Sequence, residues 1–350
     1  MIPMTIFGAT ELETRLESIR EEFKFPGLIG AVVDGNKSPT IVSVGIRKIG
    51  FKEKINIEDP VHIGSCAKSM TATLASILIQ EKKLKWSSTL KELLPSYKIH
   101  KTLENITIEK LLAHRSGLTK NMNDLNRIYA DESRSYTQNR EIALKKLISI
   151  PPEHTVGEYQ YSNQGYILVG HILETLSGES FEKLIVKKLF KPLGMKSCGF
   201  GATSVESEKN PSSIWGHYEK DKKLIPIHAD NPISTSPAGT IHCSVPDWIK
   251  YIKIHLKTDS SNLISKVSLL KLHTLYPAPE SNYTFGGWIR VEREWAGGYT
   301  LSHGGTNTLN YANIWLAPNK EKAFIAFTNT MRNGHKGTDT AVGALIKSSK

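Results

Sequence analysis

Strand-forming residues stand at both ends of this chain, and helical periodicity fills the stretch between them. Leu28 to Val33 and Thr40 to Ile46 are short β-rich runs separated by Asp34-Gly-Asn-Lys-Ser-Pro39, which reads as the turn of a hairpin. Far downstream, Phe285 to Val291, Tyr299 to Ser302, Tyr311 to Leu316 and Ala323 to Thr328 are rich in β-branched and aromatic residues. Ala317-Pro-Asn-Lys320 supplies a turn between the last two. Residues 65–85, 107–114, 141–149, 164–177 and 180–190 instead carry apolar side chains at helical spacing. Pro95, Gly117, Pro151-Pro152 and Pro192-Leu-Gly194 break that pattern.

The simplest packing of such a pattern joins the two ends. The expectation is an α/β fold of the α+β type, with one antiparallel sheet built from both chain ends, flanked by helices, and an inserted, mostly helical lobe. Residues 1–85 with 237–350 would form the sheet-containing part and 86–236 the helical part, with a site between them. Thr10-Glu-Leu-Glu13 reads as a capping box opening a helix through Leu12, Leu16, Ile19 and Phe23, which Pro26-Gly27 ends. Ser244-Val-Pro-Asp247 reads as a second box, and a last helix is expected over Thr338 to Lys347.

The 350 residues suffice for one large domain or two ordinary ones. Hydrophobic residues at 39% and charged residues at 23% suit a soluble globular chain. No apolar run approaches the roughly 18 residues of a membrane span. Met1 to Phe7 lacks a basic n-region, so the chain as given reads as cytoplasmic, and as periplasmic or secreted if a leader precedes it. The three cysteines, Cys66, Cys198 and Cys243, are odd in number and match no metal spacing, so they are expected reduced, with no structural disulfide. The net charge of +11 admits nucleic acid, an anionic wall polymer or an anionic substrate as partner. The lysines, however, are scattered as on solvated helix faces, in Glu81-Lys-Lys-Leu-Lys85 for example, and no nucleic-acid motif is present. Phosphate-binding glycine motifs and metal-ligand clusters are also missing, so neither cofactor nor metal is expected.

Chemistry starts at Ile63-Gly-Ser-Cys-Ala-Lys68, just ahead of the apolar run Met70 to Ile79. A helix opening near Ser65 places Ser65 and Lys68 on one face, three residues apart. A serine hydroxyl needs a base, and a lysine serves when desolvation leaves it partly neutral. Ser-x-x-Lys also occurs at Ser88, Ser180 and Ser268, but those copies lie among charged residues, whereas Ser65 follows a glycine and a strand-like approach. Cys66 points off the Ser65/Lys68 face and reads as packing.

Two further groups follow. Tyr161-Ser-Asn163 precedes a helical run from Tyr166. A tyrosine beside cations can shed its proton more easily, and an asparagine amide can orient a lysine or a carbonyl. Tyr311-Ala-Asn313 has the same spacing but lies in a strand. Leu301-Ser-His-Gly-Gly-Thr306 ends a strand in glycines, which let a substrate approach the backbone closely. The Thr306 amide could join that of Ser65 as an oxyanion hole, and His303 could offer a hydrogen bond or a charge. His335-Lys-Gly337 is discounted as loop.

Taken in order, these groups resemble the serine β-lactamase and penicillin-binding-protein superfamily, in the branch holding class C β-lactamases, D-alanyl-D-alanine peptidases and β-lactamase-like esterases. Leu111-Leu-Ala-His-Arg-Ser-Gly-Leu118, Leu168-Val-Gly170 and Pro237-Ala-Gly-Thr240 extend the likeness from about residue 10 to 345. The resemblance implies an acyl-enzyme on Ser65, with Lys68 as proton acceptor, Tyr161 as general acid or base and Asn163 positioning Lys68 or substrate. His303, Gly304 and Gly305 stand where β-lactamases carry Lys-Thr-Gly or Lys-Ser-Gly. Without that hydroxyl and fixed charge, carboxylic esters or small amides become the expected small-molecule substrates. The alternatives are a D-amino-acid peptidase or β-lactamase acting on wall peptides or β-lactams, and a non-catalytic scaffold of the same fold. His114 is expected to pack or cap a turn, and Tyr159, Trp215, Tyr218, Trp288 and Trp295 to line a pocket or fill core. Oligomeric state stays open.

Overall fold

The computed structural model describes residues 6–121, 123–206, 209–277 and 281–349. Met1 to Thr5, on which most of the leader argument rests, lie outside them.

The strands are β1 (Gly27–Asp34), β2 (Thr40–Gly45), β3 (Val61–His62), β4 (Gly199–Phe200), β5 (Gly216–Lys220), β6 (Lys223–Ile227), β7 (Ile241–Cys243), β8 (Ile289–Arg293), β9 (Gly298–Thr306), β10 (Tyr311–Ala317) and β11 (Lys322–Thr328). Six of them form one antiparallel sheet in the order β2-β1-β11-β10-β9-β8. The two chain ends meet where β1 pairs with β11, Leu28 opposite Thr328. β3, β7 and β4 make a small second sheet.

Strand alternation explains why both faces of the large sheet are covered. On β11, Phe324 and Ala326 join Leu16, Ile19 and Leu345 of the terminal helices Ile6–Glu22 and Gly334–Ser348. Ala323, Ile325 and Phe327 face the other way, toward a larger core with Met70, Leu74 and Trp248. That core continues without a break into Leu111, Leu144, Tyr166 and Leu173 of the middle helices. The helix Ala67–Gln80 is buried along nearly its whole length and forms the fold's inner post. Each methylene it takes out of water stabilises by about 0.8 kcal/mol, which is why so apolar a run is drawn to the centre.

Several local expectations shift. The first helix starts at Ile6, so Thr10 lies within it and is not its cap. Ser244 caps Val245–Leu256 through the Asp247 amide, but the Asp247 carboxylate turns to Ser197 and Lys250 and leaves the box half closed. The last helix begins at Gly334, so His335 and Gly337 are helical rather than loop. Phe285 to Gly287 form a turn, and the strand begins at Ile289. Cys198 and Cys243 are joined as a disulfide, against the reduced state expected from an odd count; β4 and β7 pair beside them, a proximity that spacing 45 residues apart does not reveal. Cys66 is buried and free. Among the described residues no helix is long and apolar enough to cross a membrane.

Candidate active site

Glycine geometry decides where the turn that carries Ser65 meets the sheet. β3 ends at His62, and Gly64 turns the chain at φ +51°, a conformation costly for other residues. A Cβ on Gly64 would lie 2.3 Å from the Thr306 nitrogen, and one on Gly305 would lie 2.0 Å from the Ile63 carbonyl oxygen. The turn Gly64–Cys66 and the end of β9 therefore touch backbone to backbone, which brings the Ser65 and Thr306 amides to one place. A short 3-10 turn then feeds Ala67–Gln80.

Lys68 is fully buried on the first turn of that helix. Its Nζ donates to Ser65 Oγ at 3.0 Å and to the Ala238 carbonyl at 2.6 Å. Burial brings its pKa down to about 7, and Lys120 pushes in the same direction. An amine so placed is partly neutral near pH 7 and one hydrogen bond from the serine it would deprotonate. The other Ser-x-x-Lys copies have ordinary duties. Ser180 caps a short helix, Ser88 accepts from the Lys85 amide, and Lys271 pairs with Glu109.

Tyr161 lies with its ring centre 5.0 Å from Lys68 Nζ, and its phenol interacts with the Ser65 side chain. The cations do not lower its pKa as the sequence suggested; burial dominates and pushes it up. It is a protonated phenol at rest. Asn163 opens the helix Asn163–Ser177, but its amide donates to Asn121 Oδ1 at 2.8 Å, while Ala238 holds Lys68 in the position expected of it.

His303 is uncharged and bonded within the protein, in line with the expected lack of a fixed charge at this position. Its Nδ1 faces the Gly304 carbonyl at 2.7 Å and so carries the proton, and Nε2 is left to accept from the Tyr283 hydroxyl at 3.5 Å. Burial first, then Lys68, lowers its pKa to about 4, so the ring is uncharged at neutral pH. Tyr283 itself receives from His114. The Ser162 amide donates to His114 Nδ1 at 3.0 Å, which puts the His114 proton on Nε2, 3.1 Å from the Tyr283 oxygen. The proton positions thus run from Ser162 through His114 to Tyr283, whose single hydroxyl proton is shared between Tyr166 and His303 Nε2, while His303 Nδ1 donates to Gly304. His114 also stacks against Tyr161 at 4.3 Å, so it packs the site as expected. Tyr283 was invisible in the sequence, because its turn carries no periodic or motif signal.

Ser65 and Thr306 open onto a cavity of about 110 Å³ whose lining includes Asn121, Asn163, Gln164 and Asn231. The loops after 119 and around 231, which carry no motif, supply much of that wall. A larger groove of about 880 Å³ beside Trp295 and Phe324 shares no residue with it and holds none of this chemistry. Of the candidate aromatics, Trp215 and Trp288 are core, and Tyr159 lies at the rim against His114 and Tyr283. Among the described residues no group of three His, Cys, Asp or Glu side chains is placed to hold a metal.

A family model described as Beta-lactamase matches residues 12–346. Penicillin-binding protein 4 of Amycolatopsis lactamdurans is 22% identical over 343 residues, covering 92% of this chain and 86% of that protein. Protein flp of Staphylococcus aureus (strain COL) is 23% identical over 322 residues, covering 91% of this chain; the chain spans only 62% of its length. The structure of D-amino acid amidase from Ochrobactrum anthropi SV3, complexed with L-phenylalanine amide, superposes with a TM-score of 0.75 at 18% identity, covering 97% of this chain and 99% of that one.

Proposed function

The chain belongs to the β-lactamase family, and from that premise we propose that Ser65 is its acylated nucleophile in the hydrolysis of carboxylic esters or small amides. The observation that carries this is the buried Lys68 amine, 3.0 Å from Ser65 Oγ and with a pKa of about 7. Lys68 takes the Ser65 proton as Oγ attacks the substrate carbonyl carbon. The amides of Ser65 and Thr306 receive the charge that develops on oxygen. Tyr161, protonated at rest, gives its proton to the leaving group and is recharged from the Lys68 ammonium. Water then attacks the acyl carbon, and the reverse proton path returns Ser65 to its hydroxyl.

The uncharged His303 supports esters and small amides over substrates anchored by a carboxylate. The test is intact mass after incubation with a fluorophosphonate, for wild type and Ser65→Ala, with benzylpenicillin in parallel. One fluorophosphonate adduct that vanishes in the variant is the expected result. A stable penicillin adduct would move the assignment to a D-amino-acid peptidase or β-lactamase. Folded protein with no adduct from either reagent would favour a scaffold.

A further inference from the structure

Beside the nucleophile turn, three separate segments converge on one buried carboxylate. His62 Nδ1 accepts from the Gly64 amide at 3.2 Å, so its proton sits on Nε2 and is donated to Asp230 Oδ2 at 2.8 Å. The other carboxylate oxygen, Oδ1, accepts from Asn307 Nδ2 at 3.0 Å. The Asn307 orientation is fixed as well, because its Oδ1 accepts from the Leu309 and Asn310 amides, both at 3.1 Å. The His62 and Asp230 side chains are 1% and 4% exposed. Every donor in the series therefore meets an acceptor, and no second arrangement of the protons satisfies all of them.

The two ends of this chain of bonds are adjacent to the two amides assigned to the oxyanion. Gly64 precedes Ser65, and Asn307 follows Thr306. Asp230 itself precedes Asn231, part of the cavity wall. An oxyanion hole acts through donors fixed before the charge appears, and its gap here is set by two backbones that touch through Gly64 and Gly305 without a covalent tie.

We propose that Asp230, with His62 and Asn307, is a positioning clasp that sets the distance between the Ser65 and Thr306 amides and so tunes the oxyanion hole. This rests on the assignment of Ser65 as nucleophile. None of the three contacts substrate; they act through the backbone on either side.

The chain of bonds makes a specific prediction about exchange of partners. Asp230→Asn sets an amide N–H against a donor from His62 or Asn307. Asn307→Asp sets a second carboxylate against Asp230. The double variant restores complementarity: the carboxamide introduced at 230 accepts from His62 and donates to the carboxylate introduced at 307, whose other oxygen still accepts from the 309 and 310 amides. The rates compared are those for an activated oxygen ester and its thiono analogue, whose C=S accepts hydrogen bonds poorly. Each single variant should lose roughly 10- to 100-fold in kcat for the oxygen ester with KM nearly unchanged, and its oxo-to-thiono ratio should fall by about tenfold. The double variant should recover most of both. Asn307→Ala, which keeps the Asp230–His62 pair but cuts its tie to β9, gives the same test should Asp230→Asn fail to fold, and a loss of the ratio is again expected. An unchanged ratio in the variants, with the fluorophosphonate adduct still forming on wild type, overturns the clasp alone. Wild type that forms no adduct overturns the nucleophile assignment, and the clasp's catalytic part with it.

Discussion

Lys68→Arg and the pH dependence of acylation together test the proposed base. The Lys68 amine titrates at about 7, against an ordinary 10.5. At pH 7.5 the first value leaves roughly three-quarters of the amine neutral and the second about one part in a thousand, so burial enlarges the competent fraction by roughly 10³. kcat/KM for an activated ester should rise through a single ionisation centred near pH 7 and level off above it. Arginine keeps its proton throughout, so Lys68→Arg should lower the plateau by roughly 10²–10⁴ and leave a flat residue. The same burial carries a stability cost. Between pH 7 and 10.5 the unfolded chain holds a proton on Lys68 that the folded chain does not, so its contribution to stability rises with pH across that window. The penalty is complete below pH 7, where it is on the order of 5 kcal/mol. Lys68→Met should therefore abolish turnover while raising the melting temperature more at pH 6 than at pH 10. A profile still climbing at pH 9 would point to Tyr161, whose phenol burial pushes up, and would refute the assignment of Lys68. So would Lys68→Arg retaining more than a tenth of the rate.

Tyr283→Phe removes the hydroxyl that links His114 to His303 in their bonded series; ¹⁵N spectra should show His303 losing its Nδ1-protonated form, with its pKa moving up from about 4, whereas an unchanged tautomer would mean the Gly304 carbonyl fixes the ring alone. The disulfide between Cys198 and Cys243 closes a separation of 45 residues, which in a chain-entropy account stabilises by about 4 kcal/mol, so reduction should lower the melting temperature. Alkylation without reductant should label Cys66 alone, and only after the chain is unfolded; three alkylated cysteines in unreduced, unfolded protein would contradict the pairing.

The periodicities placed the sheet and its inner helices because each is a local pattern: β11 alternates between two cores, and Ala67–Gln80 is apolar nearly all round. The pairing of the chain ends was legible because neither strand set can bury its face alone. Ser65 and Lys68 were legible for the first reason, being one helical turn apart. What the sequence hid depends on distance through space. The Cys198–Cys243 bond, the Ala238 carbonyl on Lys68, and Tyr283 beside His303 join residues 20 to 170 positions apart and leave no spacing to read. The Tyr161 error is of another kind. Its cationic neighbours were correctly anticipated, but which effect wins is set by burial, and burial is a property of the fold.

Burial also bears on the substrate. A lysine at the start of the third motif would bring a fixed positive charge beside Ser65, and a second cation there would lower the Lys68 pKa further still. His303 avoids that conflict by staying neutral, with both ring nitrogens bonded within the protein. Lys120 is a cation beside the site; its Nζ lies 5.9 Å from the Tyr161 ring centre and already acts on Lys68. The residues that line the cavity beyond Ser65 are uncharged, Asn121, Asn126, Asn163, Gln164 and Asn231 among them. Such a wall gives a polar neutral acyl group hydrogen bonds without making it shed ionic hydration, whereas a carboxylate would meet no charged side chain in that lining to offset its desolvation. The desolvated surroundings of Ser65 and Lys68 and the uncharged His303 thus both favour uncharged esters and amides over a carboxylate.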